Sequence, residues 1–130
     1  MILVDTSIWI TGLSRGDSEF ADTLRQAVAT GQVAVPDLVL MELLRGAESE
    51  PAARRLHAQM AVFPILQIGG AQIAVAAASH YRSLRALGIT VRSTIDAMLA
   101  AYCIRGRHRL LHRDRDFDHF TRFGLVTYEP

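Results

Sequence analysis

The sequence predicts an α/β domain with a mainly parallel sheet covered on both faces. Three observations predict it. Short, largely apolar runs of three to six residues recur without polar alternation, as strands buried on both faces do. Segments with helical spacing separate them along the whole chain. The chain has 130 residues, half of them apolar, which suits one packed core over residues 1–130 and excludes intrinsic disorder.

Met1-Ile2-Leu3-Val4 reads as the first strand. Ile8-Trp9-Ile10 with Leu13 suggests a helix after it, and Gly16 with Asp17-Ser18 breaks that helix. Phe20, Leu24, Ala27 and Val28 sit at helical spacing up to Gly31. Val33-Ala34-Val35 is a second strand. Pro36 suits the first turn of a helix that continues from Leu38 to Leu44 and stops near Gly46. A helix from Glu50 to Met60 follows. Phe63 to Ile68 reads as a third strand, with Pro64 placing its start near an edge. Ala71 to Leu87 is an Ala-rich helix ended by Gly88 in the manner of a C-cap. Ser93 to Ile104 is a helix with Gly106 after it. Arg109 to His112 is a fourth strand, Asp114 to Phe123 a turn and short helix, and Leu125 to Tyr128 a fifth strand.

In such sheets the working site lies outside the carboxyl ends of the strands. Asp5 directly follows the first strand. Glu42 lies in the helix after the second, Asp96 in the first turn of the helix before the fourth, and Asp114 and Asp116 follow the fourth. If the strands of Asp5 and Asp114 are neighbours, the acids converge and repel one another, and a divalent cation relieves that repulsion. Oxygen ligands without His or Cys at metal spacing favour Mg²⁺ or Mn²⁺ over zinc. Each acid also has a local use. Asp5 can cap a helix. Ser93-Thr94-Ile95-Asp96 matches a capping box with Asp in place of Glu. Asp114 can form an Asx turn and Asp116 can cap the Phe117 helix. Glu42 is the one charge within Leu38 to Leu44 and can pair with Arg45 at i+3. No single acid is specific; the combination is.

Charge supports the same direction. Residues 1–50 carry three Arg against eight acids, and residues 51–130 eleven Arg against five. This fits a metal site beside a polyanion-binding face. Nine Arg and four Asp lie between His80 and Arg122. Arg92, Arg113 and Arg115, with Arg105, Arg107 and Arg109 around the fourth strand, are candidate phosphate contacts. All fourteen basic residues are Arg. The absence of Lys excludes a P-loop NTPase and a receiver-type phosphoacceptor domain. Asp5-Thr6-Ser7 lacks the second Asp that a haloacid-dehalogenase-like phosphatase needs. The lone Cys103 excludes an internal disulfide. No run is long enough to span a bilayer and no signal peptide is expected, so the sequence predicts a cytoplasmic protein.

Met1-Ile2-Leu3-Val4-Asp5-Thr6-Ser7, Met41-Glu42-Leu43-Leu44-Arg45-Gly46, Thr94-Ile95-Asp96-Ala97 and Leu110-Leu111-His112-Arg113-Asp114-Arg115-Asp116-Phe117 resemble, in order and spacing, the PIN-domain family. They are most similar to the small VapC-type ribonuclease toxins of prokaryotic toxin–antitoxin pairs. The resemblance covers essentially the whole chain. It implies a three-layer fold with a parallel five-stranded sheet in order 3-2-1-4-5, Mg²⁺- or Mn²⁺-dependent RNA cleavage, a homodimer and a cognate VapB-type antitoxin. It maps Asp5, Glu42, Asp96 and Asp114 onto the family's acidic quartet and Asp116 onto an extra acid. It maps Thr6 or Ser7 onto the hydroxyl that supports the first Asp. Asp5, Asp96, Asp114 and Asp116 are then the expected metal ligands. The rival is a non-catalytic RNA- or protein-binding module of the same fold, which need not keep the acids.

Two finer expectations concern positions. Asp114 is fixed by the strand end while Asp116 caps the short helix, so Asp114 matters more. Trp9 belongs to the core or to a dimer contact, and His112 faces the core or ends the strand.

Overall fold

Residues 1–13 and 18–130 are described by the structure, a computed structural model. Strand β1 (Ile2–Val4) is completely buried. Successive strand residues point to opposite faces, so both faces of β1 are covered, as its lack of polar alternation predicts. Strand β2 (Val33–Pro36) is buried throughout for the same reason. Strands β3 (Ile65–Leu66), β4 (Arg109–Leu111) and β5 (Val126–Thr127) complete a five-stranded sheet in order β3-β2-β1-β4-β5 with all neighbours parallel. Asp5 and the turn after β4 are therefore neighbours: Val4 pairs with Leu111, and the Asp5 N–H donates to the Leu111 carbonyl at 3.0 Å.

Helix α1 (Thr6–Leu13) follows β1 without a linker, and its Ile8 and Trp9 enter the core. Trp9, only 2 % exposed, tilts against Phe63 at 5.3 Å between ring centroids. It is a core residue, which removes it as dimer contact. The expected break at Gly16 and Asp17 lies outside the described residues, and Ser18 already begins α2 (Ser18–Ala29). Helices α3 (Asp37–Arg45) and α4 (Glu50–Met60) lie between β2 and β3. Ser49 caps α4 by accepting from the Ala52 N–H. Helices α5 (Ala71–Ala86) and α6 (Thr94–Gly106) lead to β4, and α7 (Arg115–Asp118) with a 3₁₀ turn (His119–Phe123) leads to β5.

Several boundaries differ from the sequence reading: β5 keeps only Val126–Thr127 of Leu125 to Tyr128, α5 ends at Ala86, and four others differ for a physical reason. Pro36 is the last residue of β2, opposite Leu66. Its missing N–H costs nothing there, and its extended ψ makes it the residue before α3. Strand β3 is confined to two residues, with the Pro64 carbonyl accepting from the Val35 N–H at 2.8 Å. Strand β4 stops at Leu111, so Asp114 stands three residues beyond it. Gly106 does not end α6; Arg107 does, in the left-handed region with φ 56°. A Cβ at Gly106 would stand 2.5 Å from His108 Nε2, so any other residue there would make the His108 ring, stacked on Tyr102, shift. Gly88 behaves as expected, taking φ 80° after α5 while the Ile89 N–H closes back on the Leu84 carbonyl.

Among the described residues, no helix is long and apolar enough to cross a membrane.

Candidate active site

The β1–α1 junction sets the first carboxylate. The Asp5 carbonyl accepts from the Ile8 and Trp9 N–H groups and so starts α1. Its side chain does not cap the helix: Oδ2 accepts from the Ser7 hydroxyl at 2.7 Å. Asp5 is 6 % exposed, the one buried charged residue of the described chain. Such burial requires compensation for its charge. Thr6, one residue earlier on the helix, points about 100° away from Ser7. Its hydroxyl donates to Glu42 Oε1 at 2.8 Å. The two hydroxyls thus serve different acids: Ser7 supports Asp5, and Thr6 fixes Glu42.

On α3, Val39 and Leu43 take the core-facing positions, and Glu42 borders that stripe, 15 % exposed. Arg45 reaches Glu42 Oε2 only at 3.6 Å and is itself 66 % exposed, so it screens the charge weakly. Asp96 lies in the first turn of α6, where Ser93 Oγ accepts the Asp96 N–H at 3.2 Å. Ser93 is the cap, so the Asp96 carboxylate is not spent on one. Neither Asp96 nor Glu42 lines the open cleft around Asp5 and Asp114.

Asp114 caps α7, its Oδ1 accepting the Asp116 N–H at 2.9 Å. This is the Asx turn read for Asp114 from the sequence, but it moves the cap of α7 from Asp116 to Asp114. With β4 one residue shorter, the turn begins earlier and Asp114 occupies the N-cap. Asp116, in the first turn of α7, faces Arg92 at 3.9 Å. Asp5, Ser7, Arg92, Arg113, Asp114, Arg115 and Asp116 line one open cleft of about 460 Å³. Arg113 is steadied from α2, its guanidinium 5.4 Å from the centre of the Phe20 ring. Residues so far apart in sequence gave no signal of that contact.

The electrostatics tie the acids together. Burial, then the charges of Asp5, Glu42, Asp114 and Asp116, raise the Asp96 pKa from its ordinary carboxylate value to about 7. Four other carboxylates therefore act on Asp96 through their charge. Among the described residues, Asp5, Asp96 and Asp114 have no ion-pair partner. An all-oxygen donor set with excess negative charge suits a hard divalent cation. No three of these side chains stand close enough to hold one ion without moving, as expected of like charges with no counter-charge between them. On donor chemistry and charge the residues fit such an ion, with rotamer changes drawing them in.

The remaining candidates divide. His112 lies behind the site, its Nε2 3.2 Å from Thr127 Oγ1 and its ring tilted against Phe117. Burial lowers its pKa, so it stands neutral. Burial raises the Cys103 thiol to about 12, which leaves it inert. Arg92, Arg113 and Arg115 rim the cleft. Arg105, Arg107 and Arg109 do not: they lie at the amino-terminal end of β4, the opposite end of the strands. The sequence grouped all six because β4 has only three residues and both its ends are basic.

The chain belongs to the PIN-domain family, whose family model matches residues 2–122. Within that family it is similar to VapC ribonucleases. It is 36 % identical over 124 residues, 94 % of this chain and 92 % of the relative, to Ribonuclease VapC11 of Mycobacterium tuberculosis. The same figures hold for VapC ribonuclease Mb1587 of Mycobacterium bovis. FitAcB from Neisseria gonorrhoeae shares the fold, with a TM-score of 0.77 at 17 % identity over 99 % of this chain and 97 % of that one. VapBC2 from Rickettsia felis, solved bound to a promoter DNA fragment, has a TM-score of 0.75 at 17 % identity over 98 % of both chains. A toxin–antitoxin complex from Klebsiella pneumoniae has a TM-score of 0.67 at 26 % identity over 90 % of both.

Proposed function

We infer that this protein is the ribonuclease toxin of a toxin–antitoxin pair, hydrolysing RNA phosphodiester bonds with a divalent cation and silenced by a VapB-type antitoxin. The observation that carries the reading is the buried Asp5, which lines one cleft with Asp114, Asp116 and three arginines; the raised pKa of Asp96, caused by burial and four further carboxylates, agrees with it. The similarity to VapC ribonucleases over nearly the whole chain supports it. The toxin–antitoxin complexes of the same fold support the antitoxin. RNA as substrate places its action in the cytoplasm, and a homodimer is the assembly we expect.

Asp5 and Asp96 would hold Mg²⁺ or Mn²⁺, with Asp114 and Asp116 completing the donors. When bound, such an ion lowers the pKa of a water and offsets charge on the phosphate. Glu42, held by the Thr6 hydroxyl, would orient the attacking water and take its proton. Arg92, Arg113 and Arg115 grip phosphates on either side of the reacting one. The water oxygen bonds to phosphorus and the P–O3′ bond breaks. The water's proton passes to a carboxylate oxygen, and solvent protonates the leaving 3′-oxygen. The products carry a 5′-phosphate and a 3′-hydroxyl. The test is incubation of the purified protein with total cellular RNA and mapping of new ends. New 5′-phosphate ends support the reading, and intact RNA favours the non-catalytic module.

Asp114 is expected to matter more than Asp116. The hydrogen bond from the Asp116 N–H fixes the Asp114 carboxylate, while Asp116 meets only the 87 % exposed Arg92, and rigidly held groups position a reaction better. Asn at 114 retains the capping oxygen, so Asp114→Asn stays folded. It should lose about 100-fold in cleavage rate at saturating Mg²⁺, against about 10-fold for Asp116→Asn. Equal losses in a side-by-side assay would mean that both touch the reacting centre.

A further inference from the structure

Three arginines line the same open cleft as Asp5, Asp114 and Asp116. Opposite charges in one cleft ordinarily pair, since a planar guanidinium matches a carboxylate with two hydrogen bonds. Among the described residues only Arg92 does so, at 3.9 Å from Asp116. Asp5 and Asp114 keep no ionic partner, although Arg113 and Arg115 line the cleft with them. Arg113 directly precedes Asp114, and its backbone is anchored on both sides. The Leu111 carbonyl accepts from the Asp5 N–H, and Asp114 caps α7. Its side chain is exposed and long, and nothing in that backbone keeps it from turning onto a neighbouring carboxylate.

Phe20 supplies the restraint. It stands in the first turn of α2, half-buried and packed against the core. The Arg113 guanidinium lies 5.4 Å from the centre of its ring, within the range of a cation–π contact. Arg is held this way better than Lys, because its flat and weakly hydrated guanidinium stacks on an aromatic face. The ring attracts the cation through its quadrupole and carries no net charge, so Arg113 keeps its full charge for a phosphate. A carboxylate partner would do the reverse and cancel both charges. Fixing a rotamer-rich side chain in advance also removes part of the entropy that binding would otherwise cost. Packing against the core alone would be met by any apolar side chain of similar size and needs no π face.

We propose that Phe20 is a positioning residue of this cleft: its ring holds the Arg113 guanidinium away from the Asp5 and Asp114 carboxylates, so that the arginine stays free for an RNA phosphate and the carboxylates for a cation. The inference rests on the ribonuclease reading and extends its machinery to α2, a helix that does not line the cleft.

The test is a double-mutant cycle between Phe20→Leu and Arg113→Gln, read in two titrations without catalysis. One is Mn²⁺ into the metal-free protein, followed by calorimetry. The other is a fluorescein-labelled single-stranded oligoribonucleotide in EDTA, followed by anisotropy. Leu keeps the apolar packing and offers no π face, so Phe20→Leu should weaken each affinity about threefold. With Arg113→Gln already in place, Phe20→Leu should change neither. Arg113→Lys keeps the charge at an exposed position but loses the stack, so it should reproduce both losses. That variant decides the matter if Phe20→Leu unfolds. Unchanged affinities in Phe20→Leu, equal losses with and without Arg113, or wild-type affinities in Arg113→Lys would overturn the proposal. Wild-type protein that binds both probes as described yet cuts no RNA would instead overturn the ribonuclease reading.

Discussion

Asp5→Asn should reduce RNA cleavage by on the order of 10³-fold while leaving the protein folded. The substitution keeps the shape of the side chain and an oxygen that can accept the Ser7 hydroxyl. The Asp5 carbonyl that starts α1 belongs to the backbone and is untouched. What disappears is one negative charge buried without an ionic partner beside Asp96. That charge repels the others, so its loss should leave the melting temperature of the metal-free protein unchanged or raise it. Mn²⁺ should raise the melting temperature of wild type but not of Asp5→Asn, because binding to the folded state alone stabilises it. A variant that unfolds would assign Asp5 to the fold rather than the chemistry. A folded variant that cuts RNA at the wild-type rate would remove Asp5 from the mechanism.

Cleavage should depend on protons through Asp96. Its folded pKa of about 7 lies above the ordinary carboxylate value, so between the two the folded protein holds a proton that the unfolded chain has released. Ionising Asp96 therefore opposes folding: its penalty is absent in acid, grows from about pH 4, and is complete above about pH 7. Asp96→Asn should raise the melting temperature of the metal-free protein by about 4 °C at pH 8, allowing for solvent screening, and leave it nearly unchanged at pH 4. Cation binding must displace the same proton, so the apparent affinity for Mg²⁺ should fall about tenfold per pH unit below 7. Initial rates at low Mg²⁺ should drop with that slope, and high Mg²⁺ should move the midpoint to lower pH. Rates that stay flat from about pH 5.5 to pH 8 would contradict the role given to Asp96.

Much of this arrangement was legible in the sequence because it follows from strand ends. An unalternating apolar run that stops at Asp5 fixes a buried strand and places the carboxylate at its carboxyl end. Glu42 stands out as a lone charge in an apolar helix, and Ser93 before Asp96 marks a helix start. The unreadable features depend on distances shorter than an element. Asp114 and Asp116 are both competent caps, and a one-residue change in the end of β4 decides between them. Thr6 and Ser7 are adjacent hydroxyls, and only their angle around α1 assigns one to Glu42 and the other to Asp5. Residues on either side of β4 look like one basic cluster until the strand's direction separates Arg113 and Arg115 from Arg105, Arg107 and Arg109. The Phe20–Arg113 contact joins α2 to the turn after β4, and nothing local in either segment announces it.

The most direct test of the central claim, that five converging carboxylates act through a divalent cation, is RNA cleavage by protein stripped with excess EDTA and then resupplied with metal. Cleavage should stop in EDTA and return with Mg²⁺ or Mn²⁺ to leave 5′-phosphate and 3′-hydroxyl ends, whereas full activity of the stripped protein would contradict the account.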